Sequence, residues 1–304
     1  MNLTRRAFLS GTAALPLVAS LPQIALSQTT IGTGTLTTVS DGSLTLPGDF
    51  FYSSMPQEEL AVILNEMQLP RDEVTRECNL ALYRDDAHTV LFDVGSGPDF
   101  MPTAGKVLDT LEAAGVSAEE ITHVIFTHAH PDHIWGLLDD FDEPAFPEAA
   151  YLMGRDEWDY WWNPDTVNTI GEARAAFAVG AKRRMEAIEG SVELFEDGQE
   201  ILPGIAALAS PGHTPGHMSF EVRNGSDAAM IVGDAIGDHH VAFRRPEWQS
   251  GADQDAGLAA KSRKMLLDRI TAENMRLVGF HLPGGGIGRS ETLDGGFRFV
   301  AGDQ

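Results

Sequence analysis

The chain has 304 residues, 43% hydrophobic and 22% charged, and its 45 acids against 21 lysines and arginines give a formal charge of −24. That is the composition of a soluble globular protein with a sizeable core, and a surface so acidic repels nucleic acid and anionic membranes. One cysteine, Cys78, leaves no internal disulfide.

The first 27 residues read as a leader, with a basic start, a mildly apolar middle and the small-residue end Ala25-Leu26-Ser27. Thr4-Arg5-Arg6-Ala7-Phe8-Leu9-Ser10 resembles the twin-arginine export pattern. Gly11, Thr12, Pro16 and Ser20 dilute the apolar run too far for a membrane span. No later stretch approaches the roughly 20 apolar residues such a span requires, so no stable membrane insertion is expected once the leader is cleaved. The sequence therefore predicts a signal peptide over 1–27, a single domain over 28–304, and a periplasmic or secreted protein. Twin-arginine substrates generally cross the membrane folded, often with a cofactor in place, which suits a metal bound in the cytoplasm.

From about Thr35, short apolar runs alternate with helical patterns and no Pro- or Ser-rich linker divides them, which predicts one α/β domain. Residues 79–84 and 89–94 read as paired strands around the turn Asp85-Asp86, the second ending in Asp93-Val94-Gly95. Val107, Leu108, Leu111 and Ala114 repeat at helical spacing before Gly115, a C-terminal cap. Ser117 with Glu120 forms a capping-box pattern. His123-Val124-Ile125-Phe126 is a buried strand by its β-branched run, so the stretch that follows, Thr127-His128-Ala129-His130-Pro131-Asp132-His133, starts where a strand ends. A helical insertion near the site is expected over 165–189. Residues 207–210, 228–232 and 277–280 read as strands ending near His213, Asp234 and His281. Open α/β sheets build their sites beyond such ends. Asn224-Gly225 marks a hairpin between two of these runs.

Imidazole and carboxylate are the usual nitrogen and oxygen ligands of zinc, and catalytic sites keep one position open for water. His128 and His130 leave an extended segment on one side. Asp132 and His133 follow Pro131, where the chain can turn into a helix and aim a second pair elsewhere. That spacing suits two neighbouring metals better than one. His128, His130, Asp132 and His133 match H-x-H-x-D-H, and in this the sequence resembles the metallo-β-lactamase superfamily. The family's later elements correspond to His213 in SPGHTPGH, Asp234 in VGDAI and His281 in GFHLPG, and its early structural D-x-G to Asp93 and Gly95.

The resemblance implies a four-layer αββα sandwich and two divalent metal ions, zinc foremost. One ion would take His128, His130, His213 and Asp234, the other Asp132, His133, Asp234 and His281, with Asp234 bridging. Asp132 is also the expected proton shuttle, hence the catalytic residue. His217 is expected to support the ligands from behind, Asp238-His239-His240 to be structural, and Cys78 to be a buried thiol outside the chemistry.

The segment 233–248 together with FHLPGGGIGR looks most like the branch containing lactonases and methyl-parathion-hydrolase-like enzymes. The resemblance then implies a small neutral or apolar substrate with an ester-like bond, a lactone or carboxylic ester. The alternatives are a phosphotriester, then a β-lactam, then a metal-binding protein without turnover. A homodimer is left open. Phe50, Phe51, Tyr52, Trp135, Phe146, Trp158, Tyr160, Trp161 and Trp162 are candidates for an apolar wall, and core positions equally.

Overall fold

The computed structural model describes residues 27–302, so most of the leader expected over 1–27 lies outside the described residues. Two seven-stranded mixed sheets face each other. The first runs in chain order: β1 (Gln28–Ile31), β2 (Gly34–Pro47), β3 (Glu73–Arg84), β4 (Thr89–Phe92), β5 (His123–Phe126), β6 (Ala150–Gly154) and β7 (Glu193–Phe195). The second comprises β8 (Glu200–Leu202), β9 (Ile205–Ala209), β10 (Met218–Asn224), β11 (Asp227–Ile231), β12 (Arg276–Val278), β13 (Ile287–Leu293) and β14 (Gly296–Ala301). Strands β4 to β7 pair in parallel, as do β11 and β12, and all other neighbours are antiparallel.

Alternation along each strand decides what it packs on. Ala81, Tyr83, Val90, Phe92 and Ile125 of the first sheet meet Phe220, Ala229, Ile231 and Val278 of the second in the central core. Leu80, Leu82, Leu91, Val124 and Phe126 point outward, under α3 (Val107–Ala113), α5 (Arg155–Trp162) and α7 (Ala175–Ile188). On the far side, Met230 and Leu277 pack under α9 (Ala256–Ala272). Burial on both faces is why β4, β5 and β11 read as unbroken apolar runs. The result is the expected αββα sandwich. Among the described residues no helix is long and apolar enough to cross a membrane.

Several local expectations hold in detail. The Asn224-Gly225 turn joins β10 to β11, with Asn224 opposite Asp227 and Gly225 at φ 62°. The Ser117 N–H donates to the Glu120 carboxylate at 2.8 Å, closing the capping box. Strand β2, which the sequence pattern did not announce, carries a bulge between Ser40 and Gly42. The bulge turns Asp41 inward, where it accepts from the N–H groups of Ser96, Gly105, Lys106 and Val107. These bonds tie the loop after β4 to the start of α3. A Cβ at Gly95 would lie 2.6 Å from the Asp41 carboxylate, which explains the glycine there.

Candidate metal centre

Strand β5 ends at Phe126, and residues 128–130 continue extended before Pro131 opens the single-turn helix α4 (Pro131–Ile134). Extension puts His128 and His130 on one side and sends Ala129 into the core. The helical turn then presents Asp132 and His133 to a second group, with the His133 ring 4.0 Å from that of His128 between centroids. The loop after β9 adds His213, the residues after β11 add Asp234, and the loop after β12 adds His281.

All seven side chains converge, and all are buried. One group is His128, His130 and His213, and the other is Asp132, His133, Asp234 and His281. His130 Nδ1 lies 3.1 Å from His128 Nε2 and 2.9 Å from His213 Nε2. Asp234 faces both groups, at 3.4 Å from His213 Nε2, 3.3 Å from His133 Nε2 and 3.2 Å from His281 Nε2.

Whether these atoms fit a cation follows from where the other ring nitrogens send their protons. His281 Nδ1–H donates to the Glu77 carbonyl at 2.8 Å, an atom that can only accept. His133 Nδ1–H donates to Asp93 at 2.8 Å and His213 Nδ1–H to Asp253 at 3.0 Å. The Thr127 hydroxyl donates to Asp93, so its oxygen is free to accept from His128 Nδ1–H at 3.0 Å. In a neutral ring each Nε2 is then a bare lone pair turned toward the centre. His133 Nε2 and Asp234 Oδ1 are buried with no hydrogen-bond partner. Such lone pairs require a proton or a cation, and two hard oxygen donors among five imidazoles suit divalent metals.

Titration behaviour agrees with the geometry. Burial, then the neighbouring imidazoles, push His128 and His130 well below the usual histidine range, keeping them neutral as ligands must be. Burial also works against protonation of His133, but Asp132, Asp234 and Asp93 outweigh it and lift the ring to about 10. The same contest, with Asp234 and Asp132 opposing burial, carries His281 well above its ordinary value. A cation between these groups would replace the protons they otherwise hold.

His217 stands behind the ligands, as expected: the Asp234 N–H donates to its Nε2 at 3.1 Å, and its Nδ1–H reaches Ser210 Oγ at 2.9 Å. Burial holds this ring down at about 3. His240 accepts the Val241 N–H, and Cys78 is a buried thiol pushed up to about 11 by burial. Two carboxylates escaped the sequence reading. Glu157 on α5 is buried and accepts from Ala129 N, Trp161 Nε1, Thr214 Oγ1 and Gly216 N, clamping the 128–133 loop to the 213–217 loop. Asp253 accepts the His213 Nδ1–H bond while paired with buried Arg263 at 3.0 Å.

The centre opens into a cleft lined by Leu44, Phe50, Phe51, Phe100, Met101 and Phe177 beside the candidate ligand side chains. Of the nine aromatic candidates only Phe50 and Phe51 line it. Phe146, Trp158 and Trp161 are core, Trp135 is wedged beneath Gly180, and Trp162 stacks on Trp158. Tyr52 is buried beside His240, and Tyr160 donates to Gln254. Phe177, at the start of α7, confirms that the helical insertion borders the site.

Comparison with known proteins gives a consistent picture. A family model described as the metallo-beta-lactamase superfamily matches residues 75–281. The N-acyl homoserine lactonase AttM of Agrobacterium fabrum is 29% identical over 128 residues, 41% of this chain and 44% of that protein, so the match spans less than half of the relative's length. The structure of AidC, a dizinc quorum-quenching lactonase, superposes with a TM-score of 0.86 at 25% identity, covering 92% of this chain and 98% of that one. The hydrolase AbOPH gives 0.84 at 25% identity, with 91% and 97% covered.

Proposed function

The chain belongs to the metallo-β-lactamase superfamily, and from that premise we propose a dinuclear metal-dependent hydrolase that cleaves a neutral ester-like bond, a lactone or a carboxylic ester. The observation that carries this reading is the convergence of seven buried side chains, with Asp234 between the two groups, at the foot of an apolar cleft. Lactonases among the similar proteins support the substrate class.

His128, His130, His213 and Asp234 would hold one ion, and Asp132, His133, Asp234 and His281 the other; zinc is the metal we favour. Two bound cations supply a hydroxide at neutral pH and withdraw charge from the electrophile's oxygen. The protein's own share is positioning. Asp93, Asp253, Thr127 and the Glu77 carbonyl fix the ring orientations, which holds the donor atoms in place before a substrate arrives. Asp132 borders the cleft, and although burial works against its ionisation, His133 and His281 hold its carboxyl below the usual range. An ionised carboxylate there can accept a proton and deliver it to the departing alcohol. The apolar walls exclude water and favour a neutral or apolar acyl or alcohol portion. The leader pattern at 1–27 supports an exported enzyme acting in the periplasm or outside the cell.

Acid release from a γ-lactone and an aryl ester, followed at constant pH with the metal-loaded protein, tests the reading. Ring opening is expected; an inert protein towards both substrates rejects it.

A further inference from the structure

Arg76 is a largely buried cation on the cleft wall whose hydrogen bonds the described residues do not complete. Arg76 lies on β3 next to Glu77, the residue that orients His281. Its side chain is only 9% exposed, and its nearest carboxylate contact, Nη2 to Asp238 Oδ2, is 3.7 Å, beyond hydrogen-bond reach. Its Nε is buried without a hydrogen-bond partner. The guanidinium rests on the Phe51 ring, 3.8 Å from the centroid, which fixes its plane. Other arginines near the site have more acceptors: Arg263, although its Nε too is buried without a partner, donates to the Pro246 and Trp248 carbonyls and to Asp253, and Arg174 donates to the Gly251 and Ala252 carbonyls.

The position of Arg76 gives this deficit a meaning. It lines the main cleft and also two adjoining cavities, one bordered by His213 and Asp234 and the other by His281. A buried donor left unmet is costly, and of the five N–H groups of the guanidinium the Nε–H is buried without a partner while the others, turned to the cavities, have one carboxylate near them at 3.7 Å. Countercharge is not what is missing. Burial opposes ionisation of Asp238, but His240 and Arg76 hold its carboxyl at about 2, so it balances the guanidinium. A substrate carboxylate would add a second negative charge against Asp238, whereas a carbonyl supplies lone pairs and no charge.

We propose that Arg76 is a specificity-determining residue that donates hydrogen bonds to a neutral acceptor oxygen, a second carbonyl, on a substrate whose scissile ester lies at the metal-ligand cluster. The proposal rests on the ester-hydrolase reading for the scissile bond, but the donor arrangement at Arg76 can be tested apart from turnover.

Three lactones of equal chain length would carry a carbonyl, a carboxylate or a methylene beside the ring. The matching lactams, whose ring amide serves as a poor leaving bond, would be titrated calorimetrically into metal-loaded wild type, Arg76→Met and Arg76→Lys. The wild type is expected to prefer carbonyl over methylene about tenfold or more, in kcat/KM and in lactam affinity. In Arg76→Met the ratio should fall to within about threefold, with Arg76→Lys between the two. Each ratio is read within one protein, so overall loss of activity does not enter it. A wild type without carbonyl preference in lactam binding overturns the proposal, as does a preference for the carboxylate arm or a wild-type ratio in Arg76→Met. If Arg76→Met does not fold, a wild-type ratio in Arg76→Lys overturns it equally. Intact lactam selectivity with no lactone turnover upholds Arg76 and sinks the ester-hydrolase reading instead.

Discussion

His213 shows how much of the site depends on residues that never face the substrate. Its Nδ1 proton is held by Asp253, which is itself paired with Arg263. Asp253→Asn can still accept one hydrogen bond but leaves Arg263 buried without its carboxylate, so metal affinity is expected to fall about 10- to 100-fold. Competition with a chromophoric chelator measures this, and unchanged affinity contradicts the orienting role. Replacing a proposed ligand is harsher: His128→Ala or Asp234→Ala should abolish turnover, and activity retained in either means the site is misassigned. Asp238 offers a test by pH. Its folded pKa of about 2 lies below the unfolded value, so its ionised form stabilises the fold above about pH 4 and that contribution is lost as pH falls towards 2. Asp238→Asn should be less stable by about 2 kcal/mol at pH 7, and the gap should close between pH 4 and 2. Denaturant titrations of the metal-free proteins check it, a gap constant with pH being the contrary result. At this scale legibility was uneven. The four residues of 128–133 announce themselves because their spacing is local. Glu157, Asp253 and Arg76 do not, because an acid within GADQDAG or an arginine in a polar strand reads as solvated surface until the fold buries it.

Elements deliver these residues, and the loop after β9 is held most tightly. Gly212 sits at φ 125°, and a Cβ there would meet the Ala259 backbone nitrogen, at the start of α9, at 2.1 Å. The same loop accepts the Asp255 and Gln254 N–H groups through Gly212 and His213. Gly212→Ala must therefore move α9 or the loop, and His213 with it. We expect a loss of about 1–3 kcal/mol in stability together with weaker metal binding; thermal unfolding with and without metal would show both, and a wild-type profile would contradict the packing argument. Strands and the Asn224-Gly225 hairpin were readable because alternation and turn chemistry are local signals. Strand β2 was not, since its Thr- and Ser-rich run looks like loop and gains its order from pairing with β3. The aromatic wall was legible only at Phe50 and Phe51. Phe100 and Phe177 lie on segments distant in sequence that only the assembled fold turns toward the cleft, while the clustered tryptophans of α5 serve the core.

On the scale of the molecule, two sheets carry the proposed ligands from strand ends far apart in the chain and hold them at their common edge, so the site exists only when the sandwich is closed. The net acidity of the chain and the apolar lining of the cleft are the physical grounds for the uncharged substrate proposed above. The α/β class was legible from the alternation of apolar runs and helical patterns, and the four-layer sandwich from the family resemblance that the ordered motifs carry. Elemental analysis and initial rates taken on one sample of purified protein test this account most directly. It predicts two divalent ions per chain and lactone hydrolysis that disappears on chelation and returns with metal. Two bound ions with hydrolysis of neither a lactone nor an aryl ester would contradict it.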